Sequence, residues 1–326
     1  MISATLVILI IYIALAAGLF YQRKKCRKLE KQLAESRSRE EAAGKRECIY
    51  RQLLPDKLLG LFWQDKLEKL KIGEEKSIRA AVLSYNITGF AAFVRQQSGK
   101  EIFGFVNKIL SLVVPCILYG EGEIDEYVDA GLSAFFLGDP EKALRSAVFI
   151  CESLDQAGIK ETFSMGLTFG DVIVGMVGYE KRFGTLTISE TTGLADFLQE
   201  LAVRYRARIL ITESFKQQIP DFEKRYNSRY LGDIYLETAG MTEKLYDVYD
   251  GDEPADKNGK RKTRLLFENG VDLYQHKNFH DARLHFIEVL KVNRLDGAAK
   301  EYFYLCNKHL TQDHSEYDRP LYLDIY

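Results

Sequence analysis

Two periodicities alternate between residues 78 and 250. Apolar runs of strand type are IRAAVLSY (78–85), EIDEYVDAGLSAFF (123–136, broken near Asp129-Ala130-Gly131), TFSMGLTFG (162–170) with DVIVGMVG (171–178), RFGTLTIS (182–189), RARILIT (206–212), SRYLGDIYLE (228–237) and KLYDVYD (244–250). Between them lie stretches with apolar residues three and four apart. In 191–204, for example, Leu194, Ala195, Phe197, Leu198, Leu201 and Ala202 line one helical stripe. The order strand, long helix, hairpin, helix, strands predicts an α+β sandwich with helices on a mostly antiparallel sheet.

The flanks follow other rules. Residues 2–21, ISATLVILIIYIALAAGLFY, carry no charge and are followed at once by QRKKCRK. Twenty helical residues span the roughly 30 Å of a hydrocarbon core. Segment 1–22 is therefore expected to be a single-pass anchor in the cytoplasmic (inner) membrane, N-terminus outside and main body cytoplasmic, because basic residues stay inside. A cleaved signal peptide is the rival reading, opposed by the missing basic start. Residues 23–54 form a charged helical linker with a weak seam through Leu29, Leu33, Ser36, Glu40, Ala43, Glu47, Tyr50 and Leu54, readable as a coiled coil or as a solvated spacer. The polar run DGDEPADKNGKRK suggests a linker over 251–263. Beyond it, over 264–311, Gly270, Ala282 and Phe286 match the small, small and aromatic positions of a tetratricopeptide-like helical module that offers a surface to a protein partner, with Tyr274 and Leu290 filling its interface; a generic helical hairpin docked on the main domain is the rival reading. Residues 312–326 read as a tail.

Composition narrows the function. Hydrophobic residues make up 46% of the 326, enough for a core. Residues 22–52 hold eleven Lys/Arg against five Glu, which leaves the rest acidic, with 34 Lys/Arg against 42 Asp/Glu. An acidic body excludes nucleic acid as a partner. Cys26, Cys48, Cys116, Cys151 and Cys306 are scattered without metal-ligand or disulfide spacing, as in a reducing compartment.

Five segments together resemble the class III nucleotidyl cyclases, the adenylate and guanylate cyclase family. They are LLPDKLLGLF (53–62), VLSYNITGF (82–90), EYVDAGLSAFFLGDP (126–140), MGLTFGDVIVGMVGYEKRFGTLTISETTGLADFLQELA (165–202) and ILITESF (209–215). The resemblance places a cyclase homology domain at 55–250 and implies a ferredoxin-like βαββαβ fold. It also implies a chemistry in which a ribose 3′ hydroxyl attacks the α-phosphate of a purine triphosphate, with two divalent ions held by two aspartates. The matching positions here are Asn86 and Ala130, directly after Asp129. Asp129 is a weak substitute, because successive strand residues point to opposite faces unless the hairpin bulges.

The positions that select the base match Glu126 and Gly184, and Lys181 joins them as a further residue facing the nucleotide. Those that stabilise the transition state match Gly193 and Phe197, and an apolar Phe197 cannot neutralise phosphate charge. Carboxylates elsewhere, Asp125, Asp139 or Glu190, have no spacing argument. The resemblance with these replacements implies a degenerate cyclase homologue in signal transduction, without cofactor. It would act by homo- or heterodimerisation through this domain, by partner binding or by nucleotide sensing. The alternative is an active nucleotidyl cyclase, a phosphorus-oxygen lyase with an atypical site using Mg²⁺ or Mn²⁺.

Overall fold

The computed structural model describes residues 71–326 apart from 161, 180, 181, 238, 312–323 and 326, together with helical positions scattered between 18 and 60. The chain divides into two compact units, Met1–Asp56 and Lys57–Tyr326. In the first, positions 18, 21–25, 28, 31, 33, 37 and 44 are helical. Of the expected membrane segment only Gly18, Tyr21 and Gln22 are described, and of the expected seam only Leu33, which is exposed; the remainder of both lies outside the described residues.

The second unit begins with β1 (Glu75–Ile87), a short α1 (Phe90–Val94) and α2 (Gly99–Tyr119). Ser98 and Glu101 start α2 by a reciprocal capping box that satisfies its first amides. The hairpin β2 (Glu123–Val128) and β3 (Gly131–Leu137) follows, then α3 (Pro140–Gln156), capped by Asp139 with Pro140 in its first turn. Next come β4 (Phe163–Tyr179), β5 (Arg182–Ile188), α4 (Glu190–Tyr205), β6 (Ile209–Thr212), two single-turn helices α5 (Glu213–Lys216) and α6 (Phe222–Arg225), and the hairpin β7 (Ser228–Leu236) and β8 (Met241–Val248). The two strand pieces expected at 162–178 are one 17-residue strand, β4. It pairs with β1 from Phe163 to Gly175 and with β5 from Ile173 to Tyr179.

The described strands form one sheet in the order β2-β3-β1-β4-β6-β8-β7, with a last strand β9 (Asp324–Ile325) added beside β7. Pairing is antiparallel except β4 with β6 and β7 with β9. The first four strands with α2 and α3 have the expected ferredoxin-like order. Alternation along β1 sorts its side chains: Ala81, Leu83, Tyr85 and Ile87 enter a core with Ile109, Val113 and Ile117 of α2 and Leu144 and Ala147 of α3. Ala80 and Val82 face the other way, into a smaller cluster with Phe135, Val172, Val174 and Ala195 of α4. Among the described residues α2 alone is long and apolar enough to cross a membrane, by length and composition. Its Ile109, Val113 and Ile117 are buried in the first core.

The C-terminal region corrects one boundary. The run expected to link two modules at 251–263 lies largely within α7 (Pro254–Gln275), which continues to α8 (Phe279–Val292) and α9 (Gly297–Thr311). Not all of its charges are solvated. Lys260 is buried and pairs with Asp247 at 2.9 Å and Asp252 at 2.7 Å. Arg229, fully buried beneath the Phe267 ring, pairs with Asp247 at 2.9 Å and with Asp296 at 2.5 Å. The helical hairpin packs as its small residues suggest, since a Cβ on Gly270 would meet the Phe286 ring at 3.0 Å. One apolar side docks on the main domain: Phe267, Ala282, Phe286 and Tyr302 share one core with Leu198 and Leu201 of α4 and Leu231 of β7, and Tyr302 Oη donates to Leu231 O at 2.7 Å.

Removing one member of a buried ion cluster strands the others. Arg229→Ala is expected to cost about 3–5 kcal/mol in chemical denaturation. Burial opposes ionisation of Asp296, but the Arg229 charge and hydrogen bonds, with Lys260 behind them, hold its pKa below the usual carboxylate value. A lowered pKa contributes stability above the unfolded value that is lost as pH falls. Wild-type stability should therefore drop on acidification below pH ~4, and Asp296→Asn should flatten that part of the profile.

Candidate functional site

The face of the sheet beneath α4 changes character along β1. After Ala80 and Val82 the same side presents Ser84 and then Asn86, so an apolar floor becomes a polar one at the strand end. Across the ladders Ser84 pairs with Ser133 of β3 and Gly166 of β4, and Asn86 pairs with Ser164 of β4. Gly166 is required by contact. A Cβ there would overlap Ala195 O and come within 2.6 Å of Gln199 N, so its absence lets α4 lie directly on β4. Ser164 Oγ donates to Gln199 O at 3.0 Å and accepts from Gln199 Nε2 at 2.7 Å, fixing the helix along the strand.

The positions singled out from sequence fall into separate groups. Asn86 and the 129–130 turn share one strand end: a Cβ on Gly131 would sit 3.1 Å from Asn86 Cγ. Asn86 Oδ1 already accepts from Ile87 N at 2.7 Å, a local bond that stabilises the strand exit. Ala130 is fully buried and belongs to the first core. Asp129 is exposed in the left-handed region at φ 54°, the first residue of the two-residue turn.

Gly193 and Phe197 lie on α4. Gly193 is in the first turn, and Phe197 is half-buried against the core shared with the C-terminal helices. Gly184 pairs with Val177 in open space. Lys181 lies outside the described residues. Asp139 caps α3 through Glu141 N at 3.1 Å, and Glu190 is exposed in the first turn of α4.

One residue that spacing could not single out is prominent in the structure. The β2–β3 register slips between Ile124 and Glu126, which makes Asp125 the extra residue of a β-bulge. The hairpin does bulge, then, but at Asp125 and not at Asp129. Strict alternation would send Asp125 and Glu126 to opposite faces; the bulge releases Asp125 from that rule. Its carboxylate accepts from Thr187 Oγ1 of β5 at 2.9 Å, a bond from the edge hairpin to the end of the β4–β5 hairpin. Burial, with the Glu126 charge added, pushes its pKa up to about 6 against the opposing hydrogen bond from Thr187.

Two divalent cations need several hard oxygen ligands between them. At the Asn86 strand end one amide oxygen is already engaged and the second position offers a methyl group, so these residues do not fit such a pair. Among the described residues no group of three or more His, Cys, Asp or Glu could hold a metal ion.

A mixed α+β sheet with this helix packing is the cyclase fold. A bacterial light-regulated adenylyl cyclase superposes with a TM-score of 0.58 at 16% identity, covering 68% of this chain and 66% of that one. In sequence, the chain is 23% identical over 252 residues to the terminal-differentiation-specific adenylate cyclase of Dictyostelium discoideum, covering 74% of this chain and 12% of that protein. It is 26% identical over 178 residues to an adenylate cyclase of Anabaena cylindrica, covering 51% of this chain and 36% of that protein. The chain thus spans well under two thirds of the length of these two relatives. No family model matches the sequence. Homology to the adenylate/guanylate cyclases is supported by these relatives and by the fold.

The raised pKa of Asp125 has a definite sign. A carboxyl that protonates at about 6 when folded and at 3.8 ordinarily favours the folded state below the ordinary value, a contribution lost as pH rises through about 6. Wild type should lose on the order of 2 kcal/mol from this group between pH 4 and 7. Asp125→Asn keeps an acceptor for Thr187 and removes the charge, so its denaturation midpoint should show no such decline.

Proposed function

We propose that this chain is a membrane-anchored relative of the class III cyclases that signals by pairing with a second copy of itself, without turning over a nucleotide. The observation that carries the reading is the outer side of the β4–β5 hairpin. Ile173, Val177, Tyr179, Leu186 and Ile188 are 45%, 43%, 79%, 44% and 61% exposed, and the register puts them on one face. The inner side of the same hairpin, Val172, Val174 and Met176, is buried. Strands apolar on both sides need a second cover. The resemblance to a family that builds its sites between two copies supports a second chain as that cover.

Absence of turnover rests on residue chemistry. Ala130 and Phe197 are packed as apolar side chains, and Asn86 spends its amide oxygen locally. These groups supply neither metal carboxylates nor a phosphate-neutralising cation, and such groups act as a unit in catalysis. The C-terminal helices serve in this reading as a buttress for α4 and β7. Anchorage rests on residues 2–21, uncharged and followed by a basic cluster.

Two outcomes are expected. Deleting residues 1–21 should release the protein from membranes; a truncated form retained after a high-salt wash would show another anchor. In sedimentation velocity the released form should be dimeric. Ile173→Lys with Ile188→Lys should weaken the dimer at least about tenfold while leaving the circular dichroism unchanged. A folded double variant that remains fully dimeric would contradict pairing through this face.

A further inference from the structure

Without β9 the sheet would end at β7, and the outer edge of an end strand carries backbone N–H and C=O groups that need partners. β8 takes the inner edge along the whole strand, from Ser228 with Val248 to Leu236 with Met241. The outer edge is covered in two ways. Over its first half the helices supply side chains: Tyr230 N donates to Glu268 Oε1 of α7 at 2.9 Å, and Leu231 O accepts from Tyr302 Oη of α9 at 2.7 Å. Over its second half the cover is a strand, with Asp324 and Ile325 of β9 paired in parallel to Ile234 and Tyr235. The change falls at a bulge: the β7–β8 register slips between Tyr230 and Gly232, and Gly232 lies at φ 134°. A bulge bends and twists its strand, so the two halves present their edges differently.

Three observations set β9 apart from the rest of the sheet. It is two residues long, beside a β7 of nine. A ladder that short supplies few backbone hydrogen bonds, each of modest net strength. Second, residues 312–323 join it to α9, which ends at Thr311, a connection that extends to at most about 40 Å. Third, the edge it meets is built independently of it: β8 holds β7 on the inner side, and Leu231 and Ile234 sit in the core shared with α4 and the C-terminal helices. A preformed edge met by a short strand on a long connection has the form of a strand-addition site, where main-chain bonds give affinity and alternate side chains give selectivity.

We propose that the outer edge of β7 from Gly232 to Leu236 is a strand-addition site whose ligand is the segment around β9, residues 318–326 of this chain, bound as a separable peptide and exchangeable between two copies. Ile325 stands beside Tyr235 and Asp324 beside Ile234, so the ligand is an extended backbone with alternating side chains. Recognition runs through the main chain, and the same segment from a second copy therefore fills the edge when the chain's own strand leaves it. This edge is not the β4–β5 hairpin, so its failure would leave pairing through that hairpin standing.

The test uses fluorescein-labelled DRPLYLDIY, residues 318–326, as the probe and fluorescence anisotropy as the readout, with the protein in nanodiscs. The edge is opened in two ways: by cutting the chain after Thr311, and in the full chain by Asp324→Pro with Ile325→Pro, which removes both β9 backbone donors. Both opened forms should bind the probe with a Kd on the order of 10–100 μM. Wild type should bind it at least about tenfold more weakly, because its own tethered strand competes at high effective concentration. A probe N-methylated at Asp324 and Ile325 keeps its side chains and should also bind at least about tenfold more weakly. Full chains carrying Tyr235→Cys, mixed with full chains carrying Ile325→Cys and oxidised, should give a linked dimer beyond that of either alone. Folded opened forms that do not bind, equal binding by wild type or by the N-methylated probe, or no added linked dimer from the mixture would each overturn the proposal. Loss of the fold in both opened forms would overturn it as well, because β9 would then be integral to the sheet.

Discussion

Arg229 is wholly buried, and a guanidinium out of water has to be met by carboxylates or the fold does not form. Desolvating such an ion costs several kcal/mol, so its partners are fixed in place and not optional. They come from separate parts of the chain: Asp247 from β8 and Asp296 from the turn before α9, with Lys260 of α7 and Asp252 completing the cluster. Satisfying one charge therefore positions the three C-terminal helices against the sheet. Once there, they cover the outer side of α4, where Leu198, Leu201 and Phe197 meet Phe267 and Phe286 in a common core. The helix that bears two of the candidate positions is held from both sides, by Gly166 and Ser164 beneath it and by the helical buttress above.

That arrangement separates scaffold from chemistry. The contacts that place α4 on β4 and hold the β1 and β3 ends together are made by small residues, Gly166, Gly131 and Ser164, and by backbone. The side chains added at the critical points are an amide used locally, a buried methyl and a half-buried ring. The proposed reading assigns the fold to association, because Asn86, Ala130 and Phe197 carry no charge at these points. A titratable group does remain near the same face, at Asp125, where a bulge and burial bring a carboxyl close to neutral pKa.

Much of the fold was legible because period-two and period-3.6 patterns alternate cleanly, and the break at Asp129-Ala130-Gly131 marks a two-residue hairpin turn without ambiguity. Other features were hidden for physical reasons. A single inserted residue changes which way Asp125 points without altering composition, so the bulge left no sequence signal. Lys260 in DGDEPADKNGKRK read as solvent-facing because its burial depends on Asp247, outside the run, and on the Arg229–Asp296 pair behind it. The adjacency of Asn86 and the 129–130 turn followed only from the family resemblance. The packing of Phe197 depends on helices some seventy residues downstream.

The central claim is that the Asn86 strand end and α4 support association without turnover. It is tested most directly by assaying the full chain in nanodiscs for cyclic nucleotide formation from ATP and from GTP, each with Mg²⁺ or Mn²⁺. The account predicts no cyclic AMP or cyclic GMP above the protein-free background under any of the four conditions. Metal-dependent formation of either product, scaling with protein concentration, would contradict it.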